Sequence, residues 1–129
     1  MNKEPTLTYN IGVEATLAVI NGKWKAIILC HLKRQSMRNG EFLKVIPNIT
    51  QKVLTQQLRE LEHDEIIHRE VFPEIPPRVE YCLTDYGKTL ANLTDEMCHW
   101  GERHIERQRK AGQKINLLDT QSPFYQKAL

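Results

Sequence analysis

This sequence of 129 residues has no run of about 18 apolar residues, and its opening MNKEPTLTYNIG lacks the apolar core of a signal peptide. We therefore expect no transmembrane helix, no membrane partner and a place in the cytoplasm. Cysteine is scarce: Cys30, Cys82 and Cys98 form no CxxC pair. An odd number of scattered cysteines favours reduced thiols over a disulfide framework.

The motifs of the common enzyme classes are also missing. The sequence has no nucleophile elbow, no glycine-rich phosphate loop and no paired-carboxylate motif, which argues against an enzyme and suggests no cofactor. Cys98, His99 and His104 lie near one another in the chain but do not complete a set of four metal ligands. We expect no metal site.

The composition is that of a soluble globular protein, with 40% apolar and 26% charged residues. The length suits one domain with a real core and is too short for two. From Gly112 onward the chain turns polar. We predict a single domain over residues 1–111 and a polar, flexible tail over residues 112–129.

Positive charge is concentrated in the first half of the chain, although the net charge is only +2. Residues 21–59 contain eight basic residues and one acid, a local net of +7, whereas residues 60–74 contain one Arg and six acids, a net of −5. Phosphate attraction acts within a Debye length of about 10 Å, so this one-sided distribution favours a nucleic-acid partner.

Apolar residues recur at helical spacing in several segments of the first half. Between these segments, Asn21-Gly22 and Pro47-Asn48 mark turns, and Thr50 is a good N-cap. The run WKAIILCHL is nearly all apolar and should form the most buried helix. The predicted helices cover about residues 13–20, 24–32, 39–46 and 50–63.

The fourth helix has two different faces. An inward stripe consists of Leu54, Leu58 and Leu61. The outward ridge is polar and carries no carboxylate; it consists of Lys52, Thr55, Gln56 and Arg59, with Gln51 in the first turn. Such side chains hydrogen-bond base edges in a major groove. The alternative interpretation is an ordinary solvated helix face.

Two strands joined by a proline-rich loop follow that helix. Val79, Tyr81 and Leu83 alternate with Arg78, Glu80 and Cys82, as in a half-buried strand. Residues 66–72 are the expected partner strand, which predicts a β-wing over residues 67–83. Arg78 stands beside the stiff Pro76-Pro77 tip. We expect Arg78 to contact a phosphate or the minor groove, with a solubilising role as the alternative.

Thr84 is expected to cap a last helix that runs to about Lys110. Its apolar residues follow a heptad-like seam that is too long for a small domain to cover, which predicts a partner helix. We expect a homodimer interface built from Leu90, Leu93, Met97 and Trp100, together with Val13 and Leu17 of the first helix. An effector pocket lined by Tyr86, Met97 and Trp100 is the alternative, and a small-molecule effector of unknown identity remains open.

Together these elements predict an α+β, mainly helical winged helix-turn-helix with a two-stranded β-wing and a long C-terminal dimerisation helix. We expect a homodimeric, sequence-specific regulator that binds double-stranded DNA, with Lys23, Lys25 and Arg38 as phosphate anchors. The alternative is a winged-helix module that binds protein without operator specificity. The polar ridge argues against that alternative, because protein-docking helices present aromatic and aliphatic anchors.

The chain resembles the HxlR-type regulators, a MarR-related branch of winged helix-turn-helix proteins, over about residues 9–101. Several motifs in the right order carry the resemblance. They are VEATL at residues 13–17, GKWK at 22–25, IPNIT at 46–50, LTQQLRELE at 54–62, PPRVEY at 76–81, Leu83-Thr84 and Trp100-Gly101. The resemblance implies a homodimer that binds an inverted-repeat operator and regulates transcription, often of a neighbouring gene.

Four positions depart from that family pattern. Many relatives carry a redox-reactive cysteine where this chain has Ile11, so the mechanism tied to that thiol is not carried over. Asn39 replaces a phenylalanine, which should weaken packing beneath the helix-turn-helix, and Leu43 replaces a basic residue that could contact phosphate. Glu65 replaces the glycine common after the recognition helix, which makes the C-cap less favourable.

The three cysteines receive different expectations. Cys30 lies in the most apolar helix and is expected to be a small core residue. Any redox-sensing role is expected at Cys98 or Cys82, although the sequence shows neither the activation nor the access that a sensing thiol needs.

Overall fold

The structure is a computed structural model that describes residues 4–125. In this part of the chain, helices and strands follow the predicted order α-α-α-α-β-β-α, which confirms the mainly helical winged helix-turn-helix fold. None of its helices is long and apolar enough to cross a lipid bilayer. The elements are α1 (Gly12–Val19), α2 (Trp24–Arg34), α3 (Asn39–Val45), α4 (Gln51–His63), β1 (Ile67–Phe72), β2 (Arg78–Leu83) and α5 (Asp85–Lys110).

The core lies where α2, α3 and α4 meet the base of the sheet. Ile28 of α2, Phe42 of α3 and Leu54 of α4 are fully buried in one apolar cluster, which Ile66 and Ile67 continue toward β1. Burial of large aliphatic and aromatic side chains is the main favourable term in folding. Because this cluster fixes three helices against the sheet, it also fixes which face of α4 meets solvent.

β1 and β2 pair antiparallel along their whole length and form the wing. One residue of the α2–α3 connection extends this sheet. Met37 donates its N–H to the Tyr81 carbonyl at 3.0 Å, and its own carbonyl accepts the Tyr81 N–H at 2.8 Å. This pairing is not visible in the sequence pattern. It ties the base of the wing to the start of α3.

The chain turns sharply at both ends of the wing. Glu65 has a left-handed backbone with φ of 60°, which confirms an unfavourable C-cap after α4. Before α5, Thr84 accepts the Gly87 N–H at 2.9 Å and donates to the Glu65 carbonyl at 2.6 Å. A Cβ at Gly87 would lie 1.8 Å from the Ile66 carbonyl oxygen. The start of α5 therefore requires glycine at this position.

The two terminal helices leave apolar side chains in solvent. α5 packs along α2 and buries Ala91, Thr94 and Glu102 on that side. α1 has no buried residue. Both helices therefore present a face that nothing within residues 4–125 covers.

The predicted flexible tail stays a prediction, and part of it contacts the helices. Residues 115–125 lie against the helices, because Arg109 donates to the Ile115 carbonyl at 2.9 and 3.1 Å and to the Phe124 carbonyl at 2.8 Å. Asp119 forms a two-point ion pair with Arg34 of α2, at 2.6 and 3.1 Å. The described part of this segment thus packs on the domain; residues 126–129 of the predicted tail lie outside the described residues.

Candidate nucleic-acid interface

The exposed face of α4 is set by its N-cap and its buried stripe. Thr50 Oγ1 accepts the Val53 N–H at 3.2 Å and so satisfies an amide of the first turn that has no partner within the helix. The predicted inward residues Leu54, Leu58 and Leu61 are all buried. This burial allows only one rotation of the helix about its axis, with the polar ridge facing out.

The polar residues of α4 line one surface groove. The groove has a volume of about 440 Å³, and no large apolar side chain of α4 is exposed beside it. The sequence predicts a ridge without an acid, but in the structure Glu60 also lines the groove. The lining residues are Lys52, Thr55, Gln56, Arg59 and Glu60. The four predicted contact residues therefore share one surface with an acid.

Lys25 corrects the list of predicted phosphate anchors. Lys25 is buried, with only 2% of the residue exposed, because α2 turns it inward beneath α4. Its Nζ lies 2.9 Å from Glu60 Oε2 and donates to Asn21 Oδ1 at 3.2 Å. Lys25 is therefore committed to an internal ion pair and does not reach a phosphate. The hydrogen bond from Lys25 is the main reason why the pKa of Glu60 is lowered.

We expect Glu60→Gln to lower the free energy of unfolding at pH 7 by about 1–2 kcal/mol. It leaves the buried Lys25 ammonium without its carboxylate, and the value expected for a fully buried pair is reduced because Glu60 is partly exposed. Because the Glu60 pKa is lowered on folding, the pair stabilises the fold above the ordinary carboxyl pKa and loses this contribution as pH falls. Urea denaturation at pH 7 and near pH 3 measures both effects.

Two results would contradict this role. One is equal stability of Glu60→Gln and the unaltered chain at pH 7, and the other is a stability difference that persists in acid. Glu62→Gln is the matched control, because Glu62 is exposed on the same helix and makes no ion pair within the described residues. It should leave stability unchanged.

Gln51 is less available to bases than its sequence position suggests. Asn39 Nδ2 donates to Gln51 Oε1 at 2.6 Å, and Gln51 Nε2 donates in return to Asn39 Oδ1 at 2.9 Å. Gln51 Nε2 also lies 2.9 Å from Thr55 Oγ1. A base contact by Gln51 requires this pair to open. Asn39, the residue at the phenylalanine position, thus supplies a polar link between α3 and α4.

Ion pairs reduce the positive charge that the first half presents to solvent. Besides Lys25, three of its basic residues are paired: Lys33 with Asp95 at 3.0 Å, Arg34 with Asp119 at 2.6 Å, and Arg38 with Glu41 at 3.8 Å. Arg38 remains more than half exposed. In the described part of the chain Lys23, Lys44, Lys52 and Arg59 make no ion pair, so they carry most of the available charge. The local net charge of +7 therefore overstates the positive charge that is available to bind DNA.

Arg78 is held by its own hairpin. Its guanidinium stacks over the Phe72 ring at 4.0 Å and pairs with Glu74 at 3.3 Å and Glu80 at 2.9 Å. The predicted phosphate contact would require Arg78 to leave at least one carboxylate. Ile75, at the tip of the wing, is fully exposed.

The predicted interface residues divide into two groups. Leu90 is partly buried and packs against the core of its own chain, and its assignment to the interface stays a prediction. The others are about half exposed, with Met97 at 51% and Trp100 at 63%. They are Val13 and Leu17 on α1 and Leu93, Met97 and Trp100 on α5.

A large cavity lies elsewhere than the predicted effector pocket. It has a volume of about 940 Å³ between α2, α5 and residues 117–121, and of the three predicted lining residues only Met97 borders it. Cys30 and Cys98 also border it, with their sulfurs 3.1 Å apart. Sequence reasoning placed Cys30 in the core and missed this pairing, since no sequence signal connects the two positions. Burial raises the pKa of Cys82, which lies apart on β2.

The known proteins that resemble this chain are helix-turn-helix transcriptional regulators. Residues 19–109 match the family described as HxlR-like helix-turn-helix. A relative in Bacillus subtilis strain 168, described as the HTH-type transcriptional regulator YtcD, is 57% identical over 99 residues, which cover 77% of this chain and 79% of the relative. An HTH-type transcriptional regulator of Methanothermobacter thermautotrophicus is 47% identical over 106 residues, 82% of this chain and 81% of the relative. A crystal structure from Enterococcus faecalis V583, assigned to the MarR family of regulators, has a TM-score of 0.68 at 40% identity and covers 84% of this chain and 99% of that one.

Proposed function

Because the chain belongs to the HxlR-like helix-turn-helix family of transcriptional regulators, which are not enzymes, we propose that it binds operator DNA in the cytoplasm as a homodimer. Each protomer places α4 in a major groove, and the operator is an inverted repeat. The wing, residues 67–83, lies against the DNA that flanks each half-site.

The groove on α4 is the observation that carries this proposal. Its exposed Gln56 and Arg59 have the chemistry that reads adenine and guanine edges, and Lys52 is placed to contact phosphate. The acid at the groove, Glu60, is bound to Lys25. Neutralising this carboxylate removes the charge that would repel the DNA backbone, while the basic side chains stay exposed.

The uncovered apolar faces support the homodimer. Leu93, Met97 and Trp100 on α5 and Val13 and Leu17 on α1 are all about half exposed. A second copy of the chain would cover both faces through one two-fold interface. The same axis would present two α4 helices to one side of a duplex, with half-sites about 34–36 Å apart or a multiple of that distance.

Three basic residues outside α4 and one cavity complete the proposal. Lys23 and Arg38 contact phosphates of the DNA backbone. Arg78 gives up its ion pair with the half-exposed Glu74 and binds a phosphate of the DNA that flanks the half-site. The cavity of about 940 Å³ has room for a small-molecule effector of unknown identity.

Selection of bound duplexes from a random pool tests the proposal. We expect the recovered sequences to share two inverted half-sites. Recovery of no common sequence would favour the alternative function, a winged-helix module that binds protein.

We expect Arg59→Ala to weaken binding to the selected duplex by about 1–3 kcal/mol and to weaken binding to random duplex much less. Arg59 is exposed in the groove and makes no ion pair within residues 4–125, so its guanidinium can contact a base edge. Fluorescence anisotropy with both duplexes at several salt concentrations measures the difference.

Lys23→Ala is the control for that experiment. Lys23 lies over the Trp24 ring at 4.6 Å, away from the groove, and is proposed to contact phosphate only. It should weaken binding to both duplexes alike and reduce the salt dependence by about one counterion. Equal losses on both duplexes for Arg59→Ala would refute its role in sequence recognition.

A further inference from the structure

We propose that Cys30 and Cys98 form an oxidisable pair that closes to a disulfide within one protomer and joins α2 to α5. Their Sγ atoms lie 3.1 Å apart although the residues are 68 positions apart in the chain. A disulfide has an S–S length of about 2.05 Å, so closure requires the sulfurs to approach by about 1 Å. The proposal does not depend on DNA binding.

Hydrogen bonds assign different roles to the two sulfurs. Cys30 Sγ donates to the Thr94 carbonyl at 3.4 Å. A thiol has a single proton, so Cys98 is the donor in the contact between the two sulfurs. Burial and the contact with Cys30 raise the pKa of Cys98. Because the Cys98 proton lies in the contact between the two sulfurs, we assign the first attack on an oxidant to Cys30, and Cys98 completes the disulfide.

A small oxidant can reach both sulfurs from one cavity. Cys30 and Cys98 are partly exposed, and both line the cavity of about 940 Å³ between α2, α5 and residues 117–121. Cys82 lies on β2 and borders a different cavity. It is therefore not expected to exchange with the pair.

The chemistry needs a hydroperoxide as the two-electron oxidant. Cys30 attacks the hydroperoxide and becomes a sulfenic acid, while the hydroperoxide is reduced to an alcohol, or to water if it is hydrogen peroxide. Cys98 then attacks the sulfenic sulfur. The S–S bond forms, the S–O bond breaks, and the hydroxyl leaves as water with the Cys98 proton. One hydroperoxide is consumed for each disulfide.

The charges around Cys98 set the pH dependence of closure. Arg34 from α2 lowers its pKa slightly, whereas Asp95 on α5 raises it, and Asp119 from the C-terminal segment binds Arg34. Burial and Cys30 prevail, so the pKa is raised. Because the thiolate is the attacking form of Cys98, closure should be faster at pH 9 than at pH 7.

The test uses the full chain, hydrogen peroxide and mass spectrometry. The reduced protein has three thiols that iodoacetamide labels after denaturation. After oxidation we expect one label, on Cys82, a peptide cross-link between Cys30 and Cys98, and full reversal by dithiothreitol. Three labels after oxidation, a cross-link to Cys82, or a disulfide between two chains would each overturn the proposal.

Single substitutions and melting curves test the assigned roles. Cys98→Ser should leave a sulfenic acid on Cys30 that dimedone traps, whereas Cys30→Ser should give no trapped product. Cys82→Ser should still close the disulfide, and its melting temperature should rise by about 10 °C on oxidation because the cross-link closes a long loop of the unfolded chain. Trapping on Cys98 would refute the order of attack. An unchanged or lower melting temperature would show that the folded chain does not hold the pair ready to close.

Discussion

Replacing Gly87 by alanine should destabilise the domain by at least about 3 kcal/mol and leave much of it unfolded at 37 °C. The added Cβ would lie 1.8 Å from the Ile66 carbonyl oxygen, which is backbone and cannot move aside as a flexible side chain can. Relief requires α5 to shift away from β1, which would also break the cap that Thr84 provides. Thermal and urea denaturation followed by circular dichroism measure this loss.

Gly40→Ala is the matched control. Nothing lies within 4 Å of a Cβ at Gly40, and alanine is the better helix former in α3. Its stability should stay the same or rise by less than about 1 kcal/mol. A Gly87→Ala protein as stable as the unaltered chain would mean that α5 does not start where the structure places it.

Replacing Leu93 by glutamate should convert the dimer to monomers at micromolar concentration and lower affinity for the operator by about 100-fold or more. The substitution would place an unpaired carboxylate in the proposed apolar interface, which costs several kcal/mol. A monomer also loses the second half-site, whose effective concentration in the dimer strengthens binding. Analytical ultracentrifugation and anisotropy with the selected duplex measure the two effects.

Asn92→Glu is the control for the dimer. Asn92 is exposed on α5 next to Leu93, but it faces a different side, near Lys33 and Lys88. It should leave both the dimer and its affinity for DNA nearly unchanged. An unaltered chain that sediments as a monomer in dilute buffer would refute the proposed interface directly.

The order of the elements could be predicted because it depends on local patterns. The leucine stripe of α4 and the Thr84 cap are each visible within a few residues and appear where expected. β2 also forms where a strand is predicted, but all six of its residues are partly buried and do not alternate. The left-handed backbone at Glu65 is anticipated only by the family resemblance, in which glycine is common at this position. Helices and strands can be predicted because the spacing of apolar residues and the capping residues lie close together in the sequence.

Pairings between distant residues could not be predicted in the same way. Lys25 is a basic residue in a basic segment, and nothing in that segment shows that it will be buried and form an ion pair with Glu60. Asp119 lies 85 positions from Arg34, and the polar composition of the C-terminal segment does not show that the two residues pair. These contacts depend on how the helices cross, which apolar periodicity does not specify. Because these ion pairs form, the proposed DNA-binding surface carries less positive charge than the sequence suggests.

Hydroxyl-radical footprinting of the selected duplex is the most direct test of a homodimer that places two α4 helices on an inverted repeat. We predict two protected regions, symmetric about one centre, on a single face of the duplex, with extra protection at the outer flanks where the wings lie. A single asymmetric region of one half-site, or two regions in the same orientation, would contradict the proposed dimer.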